Sequence, residues 1–292
     1  MQERFNTNSK TKMEVKELEQ IASQVRRDIV RMVAGANSGH PGGSLGCADF
    51  LTVLYFDEMN HNPTDFKMDG IDEDVFYLSN GHISPVWYSV LARSGYFPVS
   101  ELGTFRKMSS RLQGHPSTDK GLPGVRMASG SLGQGLSCAL GTAQVKKLNN
   151  DPNLVFSLHG DGELQEGQIW EAAMYAAARK VDNVIATIDY NGRQIDGDVD
   201  DVISLGNLKA KWQAFGWEVL EMDGHNIAEI KETFAKARVM TGKGSPIVII
   251  MKTEMGQGVD FMMGSHKWHG VAPNEEQLAS ALSQLEETLG DY

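Results

Sequence analysis

The chain of 292 residues predicts an α/β fold, a doubly wound and mostly parallel sheet with helices on both faces. Two observations carry this. Short β-rich runs recur along the chain, and segments of helical periodicity separate them. Strands that alternate with helices run parallel, because each crossover helix carries the chain back to the same end of the sheet. At 41% hydrophobic content the chain can bury a sizeable core.

The elements follow in order. Residues 13–36 carry Val15, Leu18, Ile21, Ala22, Val25, Ile29 and Met32 at helical spacing and run into the glycine loop "GANSGHPGG". Strands are expected at "VFYLS" (75–79), "LVFSL" (154–158), "VIATIDY" (184–190), "WEVLEM" (217–222) and "IVIIMK" (247–252). Helices are expected over 45–59, 85–94, 132–148, 168–180, 205–215 and 227–240. The tail offers Asn274 as an N-cap with Gln277 three residues on, then Leu278, Leu282, Leu285 and Leu289, which predicts a closing helix. With no repeat, low-complexity tract or interdomain linker, residues 13–292 read as one domain behind a loosely packed segment 1–12.

Composition excludes several classes. A net charge of −11 without a dense run of Lys or Arg argues against a nucleic-acid surface. Cys47 and Cys138 each sit in an apolar helical pattern, so two buried thiols are expected rather than a disulfide framework or zinc cluster. The longest apolar run, "PIVIIM", is too short to span a bilayer, and "MQERFNTNSKTK" has no apolar leader pattern, which points to a cytoplasmic setting with no membrane partner.

The stretch "SLHGDGELQEGQIWEAAMYAAARKVDNVIATIDYNGRQIDG" carries the chemistry. A strand ends in Gly160-Asp161-Gly162, a crossover helix follows, and the next strand closes on Asn191-Gly192. Ligands of open parallel sheets bind beyond the carboxyl ends of the strands, so Asp161 and Asn191 should project into one site. Gly162 and its partner glycine let backbone N–H groups approach a diphosphate, and the two side-chain oxygens suit Mg²⁺. The remaining ligands would be diphosphate oxygens, a water and the backbone carbonyl of Arg193. "ASGSLGQG" (128–135) is a glycine-rich helix start, which could hold an anion without any Lys. Neither G-x-G-x-x-G nor a P-loop pattern occurs, so a nicotinamide or nucleotide reading has little support.

The Gly-Asp-Gly to Asn arrangement resembles the thiamine-diphosphate-dependent enzymes. "SGHPGGSLGCADFLTVLYFDEMNHNP", "LSNGHISPVWYSVLARSGY", "QGHPSTDKGLPGVRMASGSLGQGLSCALG" and "SHKWHGVAP" narrow the resemblance to transketolase, in the order that family has them, over residues 14–292. The match covers the first of that family's three domains, as in the N-terminal subunit of a split transketolase. The resemblance implies bound thiamine diphosphate and Mg²⁺, with Ca²⁺ or Mn²⁺ able to substitute, and transfer of a two-carbon ketol unit between sugar phosphates. It places His40 and His266 near the donor C3 hydroxyl and His115 near the C1 hydroxyl. His82, Gly130, Ser131, Leu132 and Asn191 match cofactor contacts, and His266 also matches a diphosphate contact. Glu166 and Glu171 match subunit-interface glutamates. His269 competes with His266, while His61, His159 and His225 read as structural. Arg106 and Arg111 could reach a phosphate, but arginines before a loop are commonplace.

The family glutamate that protonates the aminopyrimidine ring belongs to a domain missing here. The resemblance therefore implies a two-plus-two assembly with a C-terminal partner subunit, and no activity in isolation. The alternatives are the α subunit of a 2-oxo acid dehydrogenase, against which the three histidine patches count, and a non-catalytic cofactor-binding partner.

Overall fold

The computed structural model describes residues 12–292, so segment 1–11 lies outside the described residues. Five strands form one parallel sheet in the order β1-β2-β3-β7-β6. They are β1 (Val75–Leu78), β2 (Val155–Gly160), β3 (Val184–Tyr190), β6 (Glu218–Asp223) and β7 (Ile247–Lys252). The short β4 (Arg193–Gln194) and β5 (Gly197–Asp198) pair antiparallel in a separate ribbon.

The helices are α1 (Val15–Ala36), α2 (Pro41–Gly46), α3 (Ala48–Val53), α4 (Ser84–Arg93), α5 (Gln134–Leu148), α6 (Gly167–Ala178), α7 (Val199–Ile203), α8 (Leu208–Ala214), α9 (Ile227–Met240) and α10 (Glu275–Gln284). The chain steps from β1 through β2 to β3 and on to the far edge at β6 in one direction, then back to β7. Right-handed crossovers that step in opposite directions must lie on opposite faces. Accordingly α5, α6 and α8 bury Leu136, Ile169 and Trp212 on one face, while α9 buries Ile230 and Phe234 on the other with α1, α3 and α4.

Period-2 alternation in the strands feeds both layers. Ile247, Ile249 and Met251 face the α1 and α9 side, and Val248 and Ile250 face the α5 and α6 side. The register sets Gly160 beside Asp189 and Tyr190 beside Lys252, so β2, β3 and β7 end level. That register brings Asp161 and Asn191 to one rim.

Several local expectations are corrected. The single helix expected over 45–59 is three pieces: α2 starts at Pro41, α3 follows Cys47, and a π-helical turn spans Leu54–Glu58. Proline at the first turn is pre-set for a helix start, which moves the beginning forward. Cys47 is buried but Cys138 is exposed. In the apolar run of α5 the sheet selects Leu136, Ala139, Leu140 and Ala143, an i, i+3, i+4, i+7 stripe that turns Cys138 outward.

The closing helix has its capping box at Asn274 and Gln277 but stops at Gln284. Arg27 of α1 takes the carbonyls of Leu282 and Leu285 and pairs with Asp291, so the tail crosses α1 and Leu289 stays exposed. Lys12, the last residue of the segment expected to be loose, is tied down by its bonds to the Asp57 carbonyl and the Glu58 carboxylate. Among the described residues no helix is long and apolar enough to cross a membrane.

Candidate active site

The C-terminal ends of β1, β2 and β3 open into a cavity of about 400 Å³. That volume suits a cofactor-sized ligand. Two chemically different walls face each other across it.

One wall is built at the strand ends. Asp161 is 1% exposed, and its two carboxylate oxygens accept from Gly162 N (2.8 Å) and Gly192 N (2.5 Å). Asn191 donates to Asp189 (2.9 Å), and its side-chain oxygen accepts from Arg193 N (2.9 Å). Asp189 is also held by the Thr253 hydroxyl. Burial, then the neighbouring Asp189 charge, pushes the Asp161 carboxyl up to about 7, and burial raises Asp189 as well. Two buried carboxylates at one rim are costly unless a cation joins them.

The other wall is a ring of imidazoles carried by loops. His40 lies 5.1 Å from His82, 6.1 Å from His115 and 5.5 Å from His269, centroid to centroid, and His82 stacks on His269 at 4.9 Å. Burial, with the neighbouring His269, His115 and Arg106, lowers His40 to about 4. Burial lowers His82, His115 and His269 too. The wall is therefore uncharged at neutral pH. Gly42 makes the packing possible, since a Cβ there would fall 2.4 Å from Met255 Cγ and 2.8 Å from the Trp268 carbonyl.

His40, His82, His115, Gly130, Leu132, Asp161, Gly162, Glu166, Asn191 and Arg193 all border the cavity. Ser131, exposed, and Glu171, on the outer side of α6, do not. The expectation for His266 is corrected: His269 borders the cavity and His266 does not. The two share a short 3₁₀ helix, His266–His269. Residues three apart on such a helix lie on one face but about 6 Å apart along the axis, so only the lower one reaches the ring. The Arg193 side chain pairs with Asp198.

At the α5 start, expected to be able to hold an anion, two of the backbone N–H groups are already taken. Glu163 accepts from Gly133 N, and Ser79 Oγ accepts from Gly135 N. Sequence reading also missed Asp189, Asn80 and Ser129. Asp189 is hidden as one polar residue in an apolar strand, and the other two carry no motif of their own. Asn80 Oδ1, Ser129 Oγ, His40 Nδ1 and His269 Nδ1 are buried and find no hydrogen-bond partner among the described residues. Four unmet polar atoms around one cavity fit a ligand rich in donors and acceptors. His159 and His61 have structural partners, Ser157 for the first and Tyr55 and Tyr96 for the second, and His225 bonds Asp49.

A doubly wound sheet with buried carboxylates, glycine turns and a polar cavity at its strand ends defines a cofactor-binding α/β domain. Comparison with known proteins gives the family. The family described as "Transketolase, thiamine diphosphate binding domain" matches residues 18–288. The 6-deoxy-6-sulfo-D-fructose transketolase subunit SqwG of Clostridium sp. (strain MSTE9) is 38% identical over 273 residues, 92% of this chain and 96% of that protein. An apulose-4-phosphate transketolase subunit of Phocaeicola vulgatus is 37% identical over 277 residues, 95% of this chain and 96% of that protein. The crystal structure of transketolase from Campylobacter jejuni superposes with a TM-score of 0.86 at 37% identity, covering 94% of this chain and 43% of that one.

The chain belongs to the transketolase family of transferases, as its thiamine diphosphate-binding domain. The chain spans nearly the whole length of those two subunits and less than half of the Campylobacter jejuni chain. Membership sets aside the 2-oxo acid dehydrogenase alternative.

Proposed function

We propose that this chain, acting as a single domain over residues 13–292, is the Mg²⁺- and thiamine diphosphate-binding subunit of a two-chain transketolase. It would move a two-carbon ketol unit from a ketose phosphate to an aldose phosphate. The observation that carries the reading is one cavity with an uncharged imidazole ring facing Asp161 and Asn191.

Asp161, the Asn191 side-chain oxygen and the Arg193 carbonyl would hold Mg²⁺. Among the described residues no group of three His, Cys, Asp or Glu forms a metal cage. That suits magnesium, which keeps water and phosphate oxygens as most of its ligands. Ca²⁺ or Mn²⁺ could substitute. Gly130, Ser131, Leu132, Gly162, His82 and His269, the last in place of His266, would receive the cofactor. Once bound, thiamine diphosphate supplies the electron sink for C2–C3 cleavage.

The neutral rings offer one nitrogen lone pair and one N–H each, so they can take or give protons without first discharging. His40 takes the proton of the donor C3 hydroxyl, His269 steadies that hydroxyl, and His115 bonds the C1 hydroxyl. The low His40 pKa weakens it as a base in the free protein, and a nearby diphosphate charge would raise it.

A second subunit would supply the groups that meet the aminopyrimidine ring. Cys138, Val145 and Leu148 on α5 and Met174 and Tyr175 on α6 are exposed, and the two helices are linked by the Tyr175 bond to Gln144. This apolar surface near Glu166 and Glu171 supports a subunit contact and a two-plus-two assembly. Two free thiols suit a cytoplasmic setting. The names of two relatives bring a sulfonated and a branched sugar within the scope of this scaffold.

The test is reconstitution. The purified chain should show no ketol transfer, and adding the pyrimidine-domain subunit should restore it. Turnover by the isolated chain would refute the split-enzyme reading. A complex that binds thiamine diphosphate without turnover on any sugar phosphate would mark this chain as a non-catalytic partner.

A further inference from the structure

We propose that Glu163 is the positioning residue of the diphosphate cradle, its buried carboxylate clamping the glycine-rich start of α5 to the Gly-Asp-Gly turn after β2. The ligand rests on the thiamine diphosphate reading above, whereas the clamp is geometry within the chain.

Glu163 is 2% exposed and borders the cavity. One carboxylate oxygen accepts from Gly133 N at 2.8 Å and from the Ser79 hydroxyl, and the other accepts from Gly160 N at 3.0 Å. Ser79 Oγ in turn accepts from Gly135 N at 3.0 Å. Behind the carboxylate, His159 Nδ1 lies 3.6 Å away, while its Nε2 bonds Ser157. One side chain thus joins the end of β1, the start of α5 and the end of β2. The contact is close-packed as well as polar, since a Cβ on Gly135 would fall 2.4 Å from Ser79 Cβ.

A buried carboxylate without a full charge partner persists only where donors surround it. Here three donors and the positive end of α5 do so. Burial pushes the carboxyl up, and the nearby His159 imidazole together with the bonds from Ser79 and Gly133 outweighs it and holds Glu163 below the ordinary carboxylate range. The amides of Gly133 and Gly135 are consumed by this network, so a diphosphate would have to meet the loop ahead of them, Gly130 to Leu132, and the turn at Gly162. The clamp fixes both in place before a ligand arrives, which removes the ordering cost from binding.

Two effects oppose each other. Coulomb repulsion says that neutralising Glu163 should favour a diphosphate, while loss of the clamp says that it should disfavour one. The carboxylate charge is already met by its donors, so loosening wins. Glu163→Gln keeps the size but turns an amide N–H₂ toward at least one backbone donor. Ser79→Ala removes one link and leaves the carboxylate.

Hydrogen exchange on the full chain without ligand reads the clamp. Glu163→Gln should speed exchange about 10- to 100-fold in residues 130–136 and 159–163 together, the range of a lost hydrogen bond to a charged group, with β7 unchanged. Ser79→Ala should do the same more weakly. Calorimetry with thiamine diphosphate and Mg²⁺ on the reconstituted complex reads the consequence. Affinity should fall about tenfold in Glu163→Gln, while kcat at saturating cofactor stays within about threefold. A core variant such as Ile185→Val, of comparable thermal destabilisation, should keep wild-type affinity. Unchanged exchange in either segment, or equal or tighter cofactor binding, would overturn the proposal. If the wild-type complex itself fails to bind thiamine diphosphate, the functional reading falls, and exchange alone still decides the clamp.

Discussion

The two walls of the cavity are built on opposite logics. The carboxylate wall grows from strand ends: Asp161 and Asn191 follow β2 and β3, whose register is fixed by parallel pairing through Gly160 and Asp189. The imidazole wall is assembled from loops far apart in the chain, with His40 before α2, His82 beside α4, His115 in a glycine loop and His269 in a 3₁₀ turn. The first wall gathers two buried acids whose carboxyls burial pushes up, Asp161 to about 7. The second is uncharged and rests on ring-to-ring packing. In the proposed function the sheet rim would anchor a metal and a diphosphate, whereas the converging loops would present proton-transfer groups to a substrate.

Removing chemistry from the imidazole wall should have the largest effect. His40→Ala in the reconstituted enzyme should lose about 10²- to 10⁴-fold in kcat on a ketose phosphate, the span of general-base contributions, with cofactor affinity little changed. Hydroxypyruvate, which carries a carboxylate where a ketose carries its C3 hydroxyl carbon and loses it as carbon dioxide, should be far less sensitive. Equal losses on both donors would turn His40 into a positioning group.

Breaking the carboxylate wall comes next. Asp161→Ala should weaken Mg²⁺-dependent retention of thiamine diphosphate by about 100-fold or more, since even outer-shell partners of a metal site cost 10- to 100-fold. Circular dichroism should show the fold intact. Calorimetry that finds wild-type affinity would remove Asp161 from the metal.

A smaller effect sharpens the imidazole wall. His269→Ala should lower kcat/KM about tenfold or more, and His266→Ala should stay within about twofold, since only the former reaches the ring. The reverse ranking would restore the original expectation for His266.

The smallest effect is on stability. Histidines whose folded pKa is lowered bind fewer protons in the folded state than in the unfolded one, so they contribute stability above about 6.5 that is lost as pH falls. For His40 the loss runs from about 6.5 down to its folded value of about 4. The melting temperature of the free chain should therefore drop across that window, and His40→Gln should reduce the drop by a few degrees. An identical pH profile in the variant would show that His40 is not desolvated in the fold.

Strand–helix alternation, the Gly-Asp-Gly to Asn spacing and three glycine-flanked histidines, His40, His82 and His115, were all legible in the residues, because each is a local pattern tied to backbone geometry. So were the helix over Ile227–Met240 and the capping box at Asn274. Cys138 was misjudged because its apolar run offers no unique stripe, and the sheet alone chose which side of α5 to bury. Glu163 was missed because a glutamate after Gly-Asp-Gly looks like an ordinary helix-start acid until Gly133 and Ser79 arrive from elsewhere in the chain.

The sequence by itself determined the α/β class, the strands and the pair Asp161 and Asn191, since period-2 and helical hydrophobicity and turn glycines act over a few residues. Only the tertiary structure brought His269 rather than His266 to the cavity, made Glu163 a hub and left the α5 and α6 surface uncovered. Those outcomes depend on which distant segments meet, and contact between residues some thirty or more positions apart, as for Gly133 with Glu163, is set by sheet order and packing rather than by any local signal.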